Sequence, residues 1–568
     1  MPEYVTPGVY YELLDTAPPL VSGVRTDIAA FVGLAPRGPL HRPVRIESWR
    51  AFQAVFGSFV HYGYLAYAVK GFLENGGSTC FVVRVAGSTA ASASIVLRNA
   101  AAADLVRIDA SSPGIWGHAL RLSLTITDRA HGKFTLAVTG PDGEREVHRD
   151  LSLNSNDQRF CERILARGDD QVPRSRWIAA NVLASAANVE TVPDATESGL
   201  ETLSKFALSG GVDGLASLTR GDFLGTGDDA EAGKRGLGAL EAVSDIAIVC
   251  IPDMHILPAP PAPQPDLPPP PPVDTCLPCA MTAGSGAANG DDGGGELPPR
   301  FSAGDVMAMQ RALIEHCELL RDRVAILDAP VHDSGRPYSA AEIRDWRSEL
   351  DSDRGYASLY YPWVKVLDPL HLGGSPVRAV PPSGHIAGLY ARTDANPGVH
   401  KAPANDELRW AEDVTFEIEA ALQGALNPES VNCLRAFPGK GILVYGARTL
   451  AVDSQWRYVN VRRLLLMIRK AVDLATQWVV FEPHDQFLRQ KVVQSVSGFL
   501  EGLWRRGMLA GDTADQAYFV RCDATNNPPR GVDDGQIVTD VGVAAATPAE
   551  FIVFRIGRTV GELETVER

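Results

Sequence analysis

Two strongly strand-forming segments stand near the two ends of this chain, and neither has a visible partner beside it. The first, YVTPGVYYELLD (residues 4–15), gathers Val5, Val9, Tyr10, Tyr11, Leu13 and Leu14, with Pro7-Gly8 as a break or bulge. Its apolar residues do not alternate cleanly with polar ones, the pattern of a strand covered on both faces. The second, residues 550–556, is equally apolar. Strand backbone must be hydrogen-bonded to something, and the TAPPL that follows the first segment is a stiff spacer rather than a hairpin turn. No internal period of 20–50 residues is present, so any repetition comes from copies of the whole chain.

At 568 residues the chain exceeds what one core organises, and two to four domains are expected. Lys+Arg 53 against Asp+Glu 69 gives −16, which argues against a protein that coats nucleic acid. No run of about 18 apolar residues offers a membrane span, and no basic flank followed by an apolar stretch offers a signal peptide. Eight thinly scattered cysteines fit reduced thiols in a product made and assembled in the cytoplasm.

Along the chain, DIAAFVGLAPRGPL reads as a strand over 28–33, SWRAFQAVFG as a short helix capped by Ser48, YLAYAVKGFLENGG as a helix closed by glycines, and CFVVRVAG as a strand. From Ser88 to about 215 short strands and turns predict a mostly β insertion. A second α/β stretch follows, with a helix around 237–243, strand DIAIVCIPD, a helix over 306–320 and strand RVAILDAP. It is interrupted by an excursion with ten prolines in residues 258–272 and a Gly-rich half, read as exposed and outside the core. The last third predicts a strand pair at YASLYYPWVKVLD, a largely helical ELRWAEDVTFEIEAALQGALN, and a hairpin at VNCLRAFPGKGILVYG. Beyond it come a long helix striped with Val461, Leu464, Leu465, Ile468, Val472 and Ala475, then a strand at TQWVVFEP. A second amphipathic helix from Phe487 and the strands AYFVRCD and QIVTDVGVAAA close the series.

Motifs for chemistry fail on spacing. GTGDDAEAGKRG has five residues between Gly227 and Gly233 where a phosphate loop needs four, and Arg235 follows Lys234. CLPC (Cys276, Cys279) has the spacing of half a zinc site but no second pair. His484-Asp485 falls at an expected strand end with no nucleophile motif, and Asp485 serves equally as a helix cap. Arg462, Arg463, Arg469, Lys470, Arg505 and Arg506 make either a solvated face or a positive surface for an acidic partner. No catalytic, cofactor or metal residues are assigned.

The segments VPPSGHIAGLYARTDANPGVHKAPAN, LNPESVNCLRAFPGKGILVYGARTL, WRYVNVRRLLLMI, TQWVVFEPHD, FLEGLWRRGMLAG and IVTDVGVAAATPAEFIVFRI, with the N-terminal YVTPGVYYEL, AFVGLAPRGP and GFLENGGSTCFVVRV, resemble contractile tail sheath proteins. These occur in contractile-tailed phages and in phage-tail-like extracellular contractile injection systems. Residues 90–340 resemble the family weakly, and the Pro/Gly excursion departs from it. The resemblance implies an α/β (α+β) multidomain fold: a mixed α/β core built from the N- and C-terminal parts, with inserted β-rich and α/β domains and exchanged terminal strands. The expected division is a 1–20 arm, a 21–88 core part, an 89–215 β-rich insert, a 216–345 α/β insert with loop 257–300, a 346–547 core part and a 548–568 arm.

The resemblance also implies that the terminal segments add strands to neighbouring subunits, through Tyr4, Val5, Val9, Tyr10, Tyr11 and Leu13 at one end and Phe551, Ile552, Val553, Phe554 and Ile556 at the other. It implies hexameric rings stacked helically round an inner tube protein, bounded by baseplate and terminal cap proteins, that contract without nucleotide hydrolysis. Arg489, Lys491, Arg505 and Arg506 are the expected tube-facing residues. No cofactor, nucleic acid or direct membrane insertion is expected. The product would be part of a phage-tail-like particle. The alternatives are a non-contractile lattice or shell protein, and an α/β enzyme with a proline-rich docking loop.

Overall fold

A computed structural model describes residues 23–98, 104–128, 133–167, 174–183, 204–225, 234–257, 296–371, 375–550, 557–560 and 563–566. The chain divides into two compact units: Asp27–Arg392 with Pro403–Arg457, and Met1–Thr26 with Thr393–Ala402 and Tyr458–Arg568.

The first, larger unit is organised by an eight-stranded sheet. Its spatial order is Gly441–Tyr445, Val431–Phe437, Ala357–Tyr361, Val324–Asp328, Ile248–Cys250, Ala29–Gly33, Cys80–Arg84 and Val44–Ile46. The inner six run parallel and both edge strands are antiparallel to their neighbours. Every residue of Ala29–Gly33, Val324–Asp328 and Ala357–Tyr361 is buried, as a parallel sheet covered on both faces requires. The stretch expected as a separate 216–345 α/β insert thus supplies two central strands of this same sheet.

Local signals set the helices. Ser48 accepts a hydrogen bond from the Ala51 amide (3.2 Å) and starts Trp49–Phe56, and a reciprocal Ser302–Asp305 cap starts Ala303–Leu320. The Gly441–Tyr445 edge is closed by residues 405–408, whose Asn405 and Leu408 amides donate to the Val444 and Ile442 carbonyls (2.7 and 2.8 Å). That edge duty overturns the helix expected over ELRWAEDVTFEIEAALQGALN. Glu407 bridges Leu443, Asp413–Val414 pairs with Val364–Leu367, and only Ala420–Leu426 is helical.

Between Cys80–Arg84 and Ile248–Cys250 the chain makes a β-rich excursion. A three-stranded sheet (Ser94–Arg98, Asp104–Ala110, Ile178–Val182) and a four-stranded one (Ser204–Ala207, Arg121–Asp128, Lys133–Thr139, Arg145–Leu151) contribute to one apolar core around Leu122, Leu124, Phe134, Leu136 and Trp177. Its entry and exit are zipped together. Ala91 bridges Val212, the Gly87 amide donates to the Gly214 carbonyl (3.1 Å), and the Thr89 and Ser217 hydroxyls lie 2.8 Å apart.

The second unit carries two helices, Val459–Ala475 and Gln486–Arg505, and a hairpin of Tyr518–Arg521 with Asp540–Val543. Leu464, Met467, Ile468, Val492, Val496, Phe499, Leu500 and Leu503 form its core. The strand expected at TQWVVFEP is a 3-10 turn, Gln477–Val479, followed by Phe481 at φ +70° and Pro483, which end any extended run. Gly557–Val560 and Leu563–Val566 pair antiparallel at the C-terminal end.

Candidate functional site

In the second unit the hairpin of Tyr518–Arg521 with Asp540–Val543 is paired, among the described residues, only between its own two strands. Its two strands pair in the register Tyr518 with Val543, Phe519 with Gly542, Val520 with Val541 and Arg521 with Asp540. One face, through Tyr518, Val520 and Val543, packs against the helical core. On the other, the Phe519 ring lies across Gly542, where a Cβ would come within 2.1 Å of it. Phe519 remains 58% exposed. The Arg521–Asp540 ion pair (2.7 Å) follows on the same face. Among the described residues no third strand joins either outer edge. Two strands are a marginal sheet unless a helix or further strands support them. Here a helix supports one face and the edges stay open, whereas the large sheet ends in one covered edge and one strand of three residues.

The Gln486–Arg505 helix is started by Asp485, whose carboxylate accepts the Leu488 amide (2.7 Å). Asp485 therefore acts as a cap, and His484-Asp485 does not sit at a strand end. Among the described residues neither ring nitrogen of His484 has a hydrogen-bond partner. Phe487, Lys491, Gln494, Gly498 and Arg505 recur at helical spacing on the exposed side. At Gly498 and Gly502 a Cβ would meet nothing within 4 Å. Of the expected tube-facing residues, Lys491 and Arg505 share this face, about 21 Å apart along the axis. Arg505 pairs with Glu501 (2.5 Å). Arg489 is half-buried on another side, and Arg506 lies past the last turn, its Nε donating to the Gly502 carbonyl (3.1 Å).

The basic cluster expected as one surface is split. Arg462 and Arg463 are 4% and 3% exposed, so neither belongs to a solvated face. Sequence spacing could not show this, because the partners of Arg463, Asp394 and Thr26, stand 69 and 437 positions away. The terminal strand residues Tyr4, Val5, Val9, Tyr10, Tyr11 and Leu13, and Phe551, Ile552, Val553, Phe554 and Ile556, lie outside the described residues, as do Cys276 and Cys279 and most of the failed phosphate loop.

Buried titratable groups in the larger unit act as fixed ties. Asp253 accepts the Leu34 amide (2.6 Å) and the Tyr64 amide, and burial pushes its carboxyl up to about 6. Asp328 accepts the Ser383 amide (2.7 Å) and burial raises it to about 7. Burial lowers His255 to about 3 and His385 to about 4. Cys161 and Cys433 are pushed up to about 12 by burial, which removes the thiolate a nucleophile needs. Among the described residues no group of three or more His, Cys, Asp or Glu could hold a metal, and no helix is long and apolar enough to cross a membrane.

The described residues thus give a mixed α/β sheet, a β-rich excursion zipped at its neck and a unit of two helices with a two-stranded hairpin. Residues 304–450 match the phage tail sheath protein central domain and residues 451–558 the phage tail sheath C-terminal domain. Over these two stretches the chain matches phage tail sheath domains. A tail sheath protein of Vibrio phage KVP40 is 26% identical over 250 residues, 40% of this chain and 35% of that protein. That of Burkholderia phage BcepMu is 26% identical over 253 residues, 43% and 51% of the two chains. The alignments thus span about a third to a half of the length of these curated relatives. In fold the likeness is end to end. The sheath of an extracellular contractile injection system (PVC) in its contracted state aligns over 99% of both chains with a TM-score of 0.52 at 19% identity. A sheath tail protein from Listeria innocua aligns over 93% of this chain and 96% of that one with a TM-score of 0.54 at 13% identity.

Proposed function

We propose that this chain polymerises as hexameric rings stacked helically round an inner tube, between a baseplate and a terminal cap. The lattice then shortens to drive the tube through a target envelope. The observation that carries the reading is the open-edged hairpin in a sheath fold. The apolar terminal segments, 4–15 and 550–556, are the strands that complete it in neighbouring copies, by β-augmentation. Each net backbone hydrogen bond contributes about 0.5–1.5 kcal/mol, so a few per strand plus apolar burial give a durable link when repeated round every ring. The straps keep connectivity while the bodies rotate and slide. The work comes from surface buried in the shorter lattice and needs no nucleotide, in keeping with the failed phosphate-loop spacing.

Lys491 and Arg505, on the exposed helix face, are the tube-facing pair in this reading. Exposed ion pairs of about 0–1 kcal/mol each hold the tube and release it on firing. Subunits are assembled in the cytoplasm into a phage-tail-like particle.

Negative-stain imaging of the purified protein tests the assembly: hollow tubes of six-fold profile are expected, and flat sheets would favour a non-contractile lattice. Deleting residues 1–16 is expected to leave a soluble, folded subunit that makes no tubes. Normal tube yield from that deletion would refute the strand-lending segments.

A further inference from the structure

The first turn of the Val459–Ala475 helix presents two polar side chains to the interior of the second unit. Asn460 and Arg463, three residues apart and so on one face, are 1% and 3% exposed. Arg463 meets Asp394 through both guanidinium nitrogens (Nη1 to Oδ1 2.8 Å, Nη2 to Oδ2 2.5 Å). Its Nη2 also donates to the Thr26 carbonyl (2.9 Å), while the Thr26 hydroxyl donates to Asp394 Oδ2 (2.6 Å). Asn460 Nδ2 donates to the carbonyls of His400 (2.7 Å) and Ala546 (3.0 Å). Thr26 and Ala546 stand just inside the two terminal segments. Val24 and Ala545 pack against the same apolar core.

A buried ion pair and a buried amide add little to stability compared with apolar side chains of the same volume. What they supply is direction and grip. Both hold main-chain carbonyls, so the grip is largely on the backbone, with the Thr26 hydroxyl adding one side-chain bond to Asp394.

We infer that Asn460 and the Arg463–Asp394 pair are positioning residues that anchor both terminal segments to one helical turn, so that load from either strap enters the body at a single place. The inference rests on the reading of those segments as straps. With both roots fixed to the same turn, pulling on the two segments does not shear the helix against its hairpin.

Asn460→Asp is isosteric but replaces the amide donor with a carboxylate oxygen, an acceptor, facing two carbonyls. Arg463→Met removes the charge and keeps the volume, and Thr26→Val removes only the hydroxyl bond. Val496→Ala is the control, a cavity in the same core without an anchor. Amide exchange in the full-length subunit is the first readout. The anchor variants should speed exchange at residues 24–27 or 544–547 by roughly tenfold, the worth of one such bond, and leave 464–468 at the wild-type rate. The control should move all of these together. Thr26→Val, the mildest change, keeps the test open if Arg463→Met fails to fold. The second readout is resistance of assembled tubes to guanidinium, expected to fall for Asn460→Asp and Arg463→Met. If the anchor variants exchange like the control, or their tubes resist guanidinium like the wild type although residues 1–16 are indispensable, the anchor is overturned alone. If residues 1–16 are dispensable for tubes, the strap reading beneath it fails instead.

Discussion

Phe519 offers the sharpest separation between folding and assembly. In the isolated subunit it is 58% exposed and lies over Gly542 on the open face of the hairpin. Full burial of a phenylalanine is worth about 1.5–3 kcal/mol, so roughly half, about 1–2 kcal/mol, is still to be gained when a strand is added beside it. A cross-strand apolar pair adds about 0.2–1 kcal/mol. Phe519→Ala should therefore weaken each subunit contact by about 1.5–2.5 kcal/mol, some 10- to 70-fold in the association constant. The subunit itself should lose only about 1 kcal/mol, because less than half the ring is covered within it. Sedimentation of tubes across a dilution series reads the first quantity, as the threshold concentration for assembly, and urea unfolding of the unassembled subunit reads the second. The reasoning fails if tubes form at the wild-type threshold, or if the loss appears wholly in subunit unfolding.

Asp253→Ala leaves the Leu34 and Tyr64 amides buried without acceptors. A loss of about 2–6 kcal/mol is expected, read by urea unfolding at pH 7. Asp328 has a folded pKa of about 7 against an ordinary value of 3.8, so the folded protein holds a proton that the unfolded chain releases between those values. Its contribution is complete below about pH 4 and is lost as pH rises through 7, with a slope of at most about 1.4 kcal/mol per unit. Asp328→Asn removes that slope, so unfolding midpoints at pH 5 and 7.5 should show the variant gaining on the wild type as pH rises. A constant difference would count against burial as the cause. Lys491→Glu combined with Arg505→Glu should leave subunit stability within about 0.5 kcal/mol. The same double change should weaken cosedimentation with preassembled inner tubes, an effect that raised salt would reproduce in the wild type.

Where local chemistry decides structure, the sequence was readable. Ser48 announces its helix, the Phe437 to Gly441 turn announces its hairpin, and continuous apolar runs announce the parallel strands. It misled where a long-range contact overrode local pattern. The helical texture of 407–427 yields to an edge of the large sheet, and TQWVVFEP, apolar enough for a strand, is turned by Phe481 and Pro483. The open hairpin was visible as two strands, but its lack of a third neighbour among the described residues is a property of the fold. Asn460 and Arg463 were unreadable for a similar reason. Their partners, Thr26, Asp394 with His400, and Ala546, are assembled from three distant stretches, and no spacing rule links them.

The zipped neck of the β insert has a consequence for how such a chain can vary. Because Ala91 bridges Val212 and Gly87 meets Gly214, everything between them enters and leaves the large unit through one narrow doorway. Beyond it the core meets the insert at a few polar contacts, among them Arg84 Nη1 to the Pro113 carbonyl (2.9 Å) and the Gly38 amide to Ser112 Oγ (3.0 Å). A lineage, or an engineer, that supplies those few bonds anew can therefore exchange the cassette for a reporter or a receptor-binding module, and the sheet behind it keeps its register.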